Sequence, residues 1–304
     1  MNKRINITIM LLLALISATP VYGCTGFAVY SNNGPIFGMN WDLPTRDEWK
    51  GGPVGFFEDL NPRIMITSRP GVNTFGLGSN PFKLNPFYND FGVFGTAQAI
   101  NPPIFVSDSS ELLENPISVM LSGIYARGAK DMVNALQDIK LFQLSLAGER
   151  QIVNHWLFAD TRGEAVIIEP GVEENYFLPM VGDYILMTNF LNHRLDSAPR
   201  IIVSLDSDRR YRTADQMINA SLGDFGLNEA LDVLGAVKQN ITKFSFVVVA
   251  EEENVYMAVL GNFSRIWRID LAEKTIATFK GFTENRVESL GEVGFSLEEL
   301  LEWR

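Results

Sequence analysis

Apolar and polar positions alternate with a period of two immediately after Cys24. Phe27, Val29 and Ser31 fall on one face of a strand, Ala28 and Tyr30 on the other. Asn32-Asn33-Gly34 supplies a turn and Pro35 to Asn40 a returning strand, so residues 25–40 read as a hairpin with Cys24 at its leading tip. Further β-rich stretches cover roughly 62–68 and 73–79, and the turn Asn89-Asp90-Phe91-Gly92 leads into Val93–Ile100. The period then changes. Ile117, Met120, Leu121, Ile124, Met132, Val133, Leu136 and Ile139 keep helical spacing over 116–139, with Gly128 dividing two helices. His155–Ala159 and Ala165–Glu169 form a second hairpin, and Tyr184–Met187 is a strand ending at Thr188-Asn189. Helices follow over about 207–220 and 227–238, then strands Phe244–Ala250, Val255–Leu260 and Arg265–Asp270. Strands come in runs with two helical blocks between them. This is α+β, and it predicts stacked antiparallel sheets covered by helices.

The first 23 residues follow a different pattern. Lys3 and Arg4 precede an apolar run from Ile9 to Ala18, too short to span a bilayer easily, and Pro20 breaks it. Val21-Tyr22-Gly23 then suits cleavage by a signal peptidase before Cys24. The expectation is a signal peptide over 1–23 and a single exported domain over 24–304, periplasmic or extracellular. No other apolar stretch is long enough for a membrane span.

Composition narrows the partners. The 304 residues are 46% hydrophobic and 20% charged, which is globular, and the formal net charge of −11 argues against nucleic acid or an anionic membrane as partner. One cysteine excludes an intramolecular disulfide and a cysteine-rich metal site. The two histidines, His155 and His193, lack ligand spacing and read as structural or solvent-exposed, so neither metal nor cofactor is expected. Phe56, Phe57, Phe82, Phe87, Phe91 and Phe94 form an aromatic cluster along the chain that reads as core before it reads as an acyl pocket.

Three readings compete for Cys24: a small buried hydrophobe, a lipidated N-terminus that anchors a non-catalytic surface or binding protein, and an N-terminal nucleophile. The third needs a base for a thiol of pKa about 8.5, and the α-amine of the same residue, pKa about 8, can serve. Lipidation consumes both groups, so the two functional readings exclude each other. The terminus alone leaves all three open.

Cys24-Thr25-Gly26-Phe27-Ala28-Val29, the Asn33-Gly34 turn and Phe37-Gly38-Met39-Asn40-Trp41-Asp42 resemble the N-terminal hairpin of the choloylglycine hydrolase-like enzymes. These are Ntn-hydrolases that include bile-salt hydrolases, penicillin V acylases, acid ceramidase-type amidases and related acyltransferases. Asn89-Asp90-Phe91-Gly92-Val93 is similar to the family's Asn-Glu-x-Gly turn, and the segments 155–160 and 163–169 to its central hairpin. Leu186-Met187-Thr188-Asn189 and Ser207-Asp208-Arg209-Arg210-Tyr211 follow in the family's order, as Thr-Asn and Ser-x-x-Arg-aromatic motifs.

The resemblance implies an αββα sandwich and cleavage of a linear, non-peptide C–N bond in a small-molecule N-acyl amide through a thioester. Acyl transfer from the same intermediate is the alternative. It implies no cofactor, and it is compatible with a homo-oligomer. Cys24 would attack the carbonyl and its amine would move the proton. Asp42 would hold that amine, and Asn189 would donate to the oxyanion, a contribution on the order of 3 kcal/mol. Arg210 would lower the thiol pKa; without the resemblance it reads as a solvated arginine on a helix. The chain departs from the family at Met39, where many members carry arginine, which points away from the bile-salt branch and towards the acyltransferase-like one. The family's second oxyanion donor would fall within Gln98-Ala99-Ile100-Asn101.

Overall fold

The computed structural model describes residues 23–42, 62–79, 81, 84–100, 113–114, 116–141, 144–146, 150–152, 154–171, 174–195 and 205–304. The segment read as a signal peptide lies outside these apart from Gly23, as do Phe56, Phe57, Phe82 and Asn101.

The N-terminal hairpin forms as its pattern predicts. β1 (Thr25–Ser31) and β2 (Gly34–Asp42) pair antiparallel from Thr25 against Asn40 to Ser31 against Gly34. Gly34 closes the turn at φ +82°, a conformation that favours glycine, and Glu251 packs where its side chain would stand. The remaining long strands are β3 (Arg63–Arg69), β4 (Val72–Gly78), β5 (Leu84–Asn89), β6 (Val93–Ala99), β7 (Asn154–Asp160), β8 (Ala165–Glu169), β9 (Tyr176–Pro179) and β10 (Tyr184–Met187). After them come β11 (Thr242–Val249), β12 (Asn254–Val259), β13 (Ile266–Asp270), β14 (Thr275–Lys280), β15 (Val287–Ser289) and β16 (Phe295–Ser296). They make two eight-stranded antiparallel sheets, in the orders β10-β1-β2-β11-β12-β13-β14-β15 and β9-β8-β7-β6-β5-β4-β3-β16.

Alternation along each strand feeds two interiors. Ala28, Phe37, Met39, Phe244 and Phe246 of the first sheet meet Ile64, Phe75, Phe94, Leu157 and Ile167 of the second in a shared core between the sheets. The opposite faces are covered by helices. α1 (Pro116–Tyr125) and α2 (Ala129–Leu136), divided at Gly128 as expected, put Val119, Met120, Ile124 and Met132 on Phe87, Trp156, Phe158 and Ile168 of the second sheet. α3 (Leu205–Ser221) and α4 (Leu227–Val237) put Ala214, Ile218, Val233 and Leu234 on Phe27, Val29, Ile36 and Val247 of the first. The result is four layers in the order α, β, β, α. A last helix, α5 (Leu297–Leu301), starts at a Ser296 cap that accepts from the Glu299 N–H. Among the described residues no helix is long and apolar enough to cross a membrane.

The turn at Asn89 shows why asparagine sits there. Its Oδ1 accepts from the N–H groups of Phe91 and Val93, and its Nδ2 donates to the carbonyls of Ile124 and Ala126. One side chain therefore closes the β5–β6 turn and caps the end of α1. The described phenylalanines of that cluster divide between two cores, Phe87 and Phe91 in one and Phe94 in the other. Phe87 faces α1 and Phe94 stacks on Phe37 between the sheets at 5.5 Å, so both are core.

Candidate active site

Asp206 and Ser207 lie four and three residues before Arg210 on α3, so both share its face, and that face meets the start of β1. The Arg210 side chain is fully buried, and each of its N–H groups has an acceptor. Nε donates to Asp206 Oδ2 at 2.8 Å, Nη1 to the Cys24 carbonyl at 2.6 Å and to Thr25 Oγ1 at 2.9 Å, and Nη2 to Asn189 Oδ1 at 2.9 Å and Ser207 Oγ at 3.3 Å. Its neighbour Arg209 is 60% exposed and reaches Asp206 only from outside. Asp206 lies below the ordinary carboxylate range although partial burial opposes this, because both arginines donate to it. The solvated-helix reading of Arg210 is thereby excluded.

Asn189 follows the last residues of β10. With Oδ1 on Arg210, its Nδ2 donates to the Ala99 carbonyl at 2.7 Å. Gln98 lies beside it, and the amide orientation that satisfies both of its ends has the nitrogen donating to the Cys24 carbonyl at 3.2 Å and the oxygen accepting from the Gly26 N–H at 2.9 Å. Within the stretch 98–100, Gln98 and Ala99 are thus the residues that touch the site. Met39 does not carry charge to it. Its side chain is fully buried between the sheets, where Thr96 Oγ1 donates to its Sδ at 2.8 Å.

Cys24 is half-buried at the mouth of the shared core, still joined to Gly23. Gly23 lies against the Asn189 and Arg210 side chains so closely that a Cβ there would overlap both. Gln239 Nε2 donates to the Gly23 carbonyl and, at 2.8 Å, to Asp42 Oδ2. Thr242 Oγ1 donates to Asp42 Oδ1 and accepts from the Gln239 N–H at 2.8 Å. Asp42 therefore sits one side chain away from the Gly23–Cys24 peptide group. Burial raises Asp42 to about 6, against the opposing hydrogen bonds of Thr242 and Gln239 and the charge of Arg210. The Cys24 thiol is pushed up to about 12 by burial and by the Asp42 charge, with the Asp42 N–H and Arg210 acting the other way. While Gly23 is attached, the thiol is a poor nucleophile.

All four residues singled out from the sequence thus meet at one end of the first sheet. Gln239 and Thr242 are additions that no motif points to, and Thr25 lies inside the Cys24 motif without a role having been given to it. Ser207 is different, since the Ser-x-x-Arg spacing already places it on the arginine's helix face. His155 and His193, read as structural or solvent-exposed, are both structural and bond one buried carboxylate, Glu169. Among the described residues no group of histidine, cysteine and carboxylate side chains could hold a metal ion.

No protein-family model matches the sequence, and no curated protein matches it. Solved structures do match. A mutant of conjugated bile acid hydrolase from Clostridium perfringens is 14% identical with a TM-score of 0.62, over 88% of this chain and 97% of that one. A second variant of that hydrolase gives 14% and 0.61 over 88% and 98%. Penicillin V acylase from Agrobacterium tumefaciens gives 11% and 0.57 over 84% and 91%. The chain has the Ntn-hydrolase fold. The αββα sandwich expected from the motifs is therefore the observed architecture, and the likeness extends over nearly the full length of the compared hydrolases.

Proposed function

We propose that the chain is an exported amidohydrolase whose nucleophile is Cys24 once the leader has been removed before it. The observation that carries this reading is the junction of Cys24, Arg210, Asn189 and Asp42 around the Gly23–Cys24 peptide. Cleavage there turns the peptide nitrogen of Cys24 into an amine, and Gln239 already ties the Gly23 carbonyl to Asp42. Asp42 then holds that amine, and the charge the amine gains when it takes a proton favours the carboxylate.

In the reaction the amine takes the thiol proton and sulfur adds to the amide carbonyl. The oxyanion is met by the Asn189 amide. Collapse breaks the C–N bond, and the proton passes from the amine to the leaving nitrogen. A water molecule deprotonated by the same amine releases the acid from the thioester. An acceptor other than water would make the same intermediate an acyl transfer, and the uncharged Met39 favours that branch. The substrate class, a small N-acyl amide, is supported by the motifs and by the names of the structural neighbours, a hydrolase of conjugated bile acids and an acylase of penicillin V.

Intact-mass analysis of the exported protein, followed by assay on penicillin V, a glycine-conjugated bile acid and a series of N-acyl 4-nitroanilides, tests the reading. The expected mass begins at unmodified Cys24, and Cys24→Ala folds without releasing product. Added diacylglycerol on Cys24, or full activity in Cys24→Ala, overturns it.

A further inference from the structure

Glu169 ends β8 with its carboxylate fully buried, yet it lies outside the ring of contacts around Cys24. Its Oε1 accepts from the Asn192 N–H at 2.7 Å and from His155 Nδ1 at 3.1 Å. Its Oε2 accepts from the His193 N–H at 3.1 Å and from His193 Nδ1 at 2.7 Å. Tyr176 stacks on the His193 ring at 3.9 Å and closes the outer side. Both histidines of the chain are committed to this one carboxylate. A buried charge with four donors costs more desolvation than an apolar side chain of the same size, so core filling does not account for it.

The donors show what the carboxylate fixes. Two come from the backbone of the 3₁₀ turn Asn192–Arg194, which begins three residues after Asn189. Asn192 also ties that turn back to β10 through Nδ2 to the Leu186 carbonyl at 3.0 Å. The third comes from His155 on β7, whose register partner on β6 is Gln98, the residue that holds the Cys24 carbonyl. The segment 188–191 is therefore pinned at its far end to β7 and β8, and through β7 it is in register with the β6 residue that meets the Cys24 carbonyl. We propose that Glu169, with His155 and His193, is the positioning group that sets the Asn189 amide at the acyl site. This rests on the reading of Asn189 as the oxyanion donor.

Two probes of the same thiol in the cleaved protein test it. Attack on 4-nitrophenyl butyrate develops an oxyanion, whereas alkylation by iodoacetamide develops none. Glu169→Gln places an amide N–H against two donors, and it should slow acylation about 10- to 100-fold, the loss expected when a donor moves by about 1 Å. Alkylation should stay near the wild-type rate. His193→Ala should act alike, and His193→Asn, whose amide nitrogen can stand in for Nδ1, should recover most of the loss. In an Asn189→Ala background Glu169→Gln should add nothing. Equal losses with both probes, or a full further loss on top of Asn189→Ala, overturns the proposal. A normal acylation rate in Asn189→Ala instead overturns the reading beneath it. Should Glu169→Gln fail to fold, the His193→Ala and His193→Asn pair decides the question by the same ratio of rates.

Discussion

Arg210 donates through Nη2 to Asn189 Oδ1 at 2.9 Å, and this bond decides which way the Asn189 amide faces. With the oxygen committed, Nδ2 must turn away from α3, and one of its hydrogens goes to the Ala99 carbonyl. In the proposed reaction the other would meet an acyl carbonyl bound over Cys24. Arg210 thus does two jobs that the motifs alone merge into one: it places positive charge beside Cys24 and orients the Asn189 amide.

Arg210→Lys separates those jobs. A lysine keeps the charge but offers three rotatable donors on a point ammonium where five fixed ones are used. Leaving buried acceptors unpaired should cost about 3 kcal/mol of stability. Urea unfolding measures this, and amide turnover should fall further than the loss of charge alone would require. Wild-type stability in Arg210→Lys would contradict the five-bond assignment.

The parts of the fold legible from sequence are those whose burial leaves a plain pattern. β7 and β8 read as apolar runs because one side meets the shared core and the other meets helices, and α1 to α4 show an apolar stripe because each buries one face. β5 is not announced, since Pro86 interrupts its pattern. β14 and β15 run out to an edge where Phe279 and Val287 are exposed, so no alternation marks them. At the site, Cys24, Asp42, Asn189 and Arg210 each carry a local motif. Gln239 and Thr242 do not, because they reach Asp42 only through the pairing of β11 with β2 across about two hundred residues. His155, Glu169 and His193 meet for a similar reason: β8 brings the carboxylate alongside β7 and under the turn after β10.

Gly23→Ala should distinguish the leader-bearing chain from the cleaved one. Alanine satisfies the small-residue requirement of a signal peptidase, so cleavage should proceed. In the uncleaved chain its methyl group would overlap Asn189 and Arg210, and overpacking of this kind costs about 1–3 kcal/mol. The melting temperature of the leader-bearing protein should drop. That of the protein beginning at Cys24 should match wild type, since residue 23 has left it. Equal melting temperatures for the two leader-bearing forms would sink the packing argument.

Two carboxyl groups should give the leader-bearing chain opposite pH limbs. Asp42 is raised from 3.8 to about 6, so its contribution is present below its unfolded value and is lost as pH rises through 6. The Glu169 hydrogen bonds outweigh its burial and lower it from 4.5 to about 2, so its contribution is present above its unfolded value and is lost as pH falls towards 2. Each amounts to about 3 kcal/mol at full extent. Urea midpoints from pH 2 to 8 should show Asp42→Asn flattening the upper limb and Glu169→Gln the lower. A variant that flattens the wrong limb would refute the assignment.

Cys24 should change reactivity when the leader leaves. In the chain that retains Gly23 the thiol sits at about 12, so at pH 8 about one molecule in 10⁴ carries the thiolate. Iodoacetamide should modify this form slowly, with a rate that climbs about tenfold per pH unit from 7 to 10 and reaches no plateau. Burial is the larger cause and the Asp42 charge the second, so Asp42→Asn should speed the reaction without restoring the rate of an exposed cysteine. Cleavage removes Gly23 and puts an amine beside Asp42, which when protonated offsets that charge and leaves Arg210 to act on the sulfur. The protein beginning at Cys24 should therefore react faster at pH 8 and level off at a lower pH. A plateau near pH 9 in the leader-bearing chain would show that its thiol is already free, and removal of the leader could not then be the activating step.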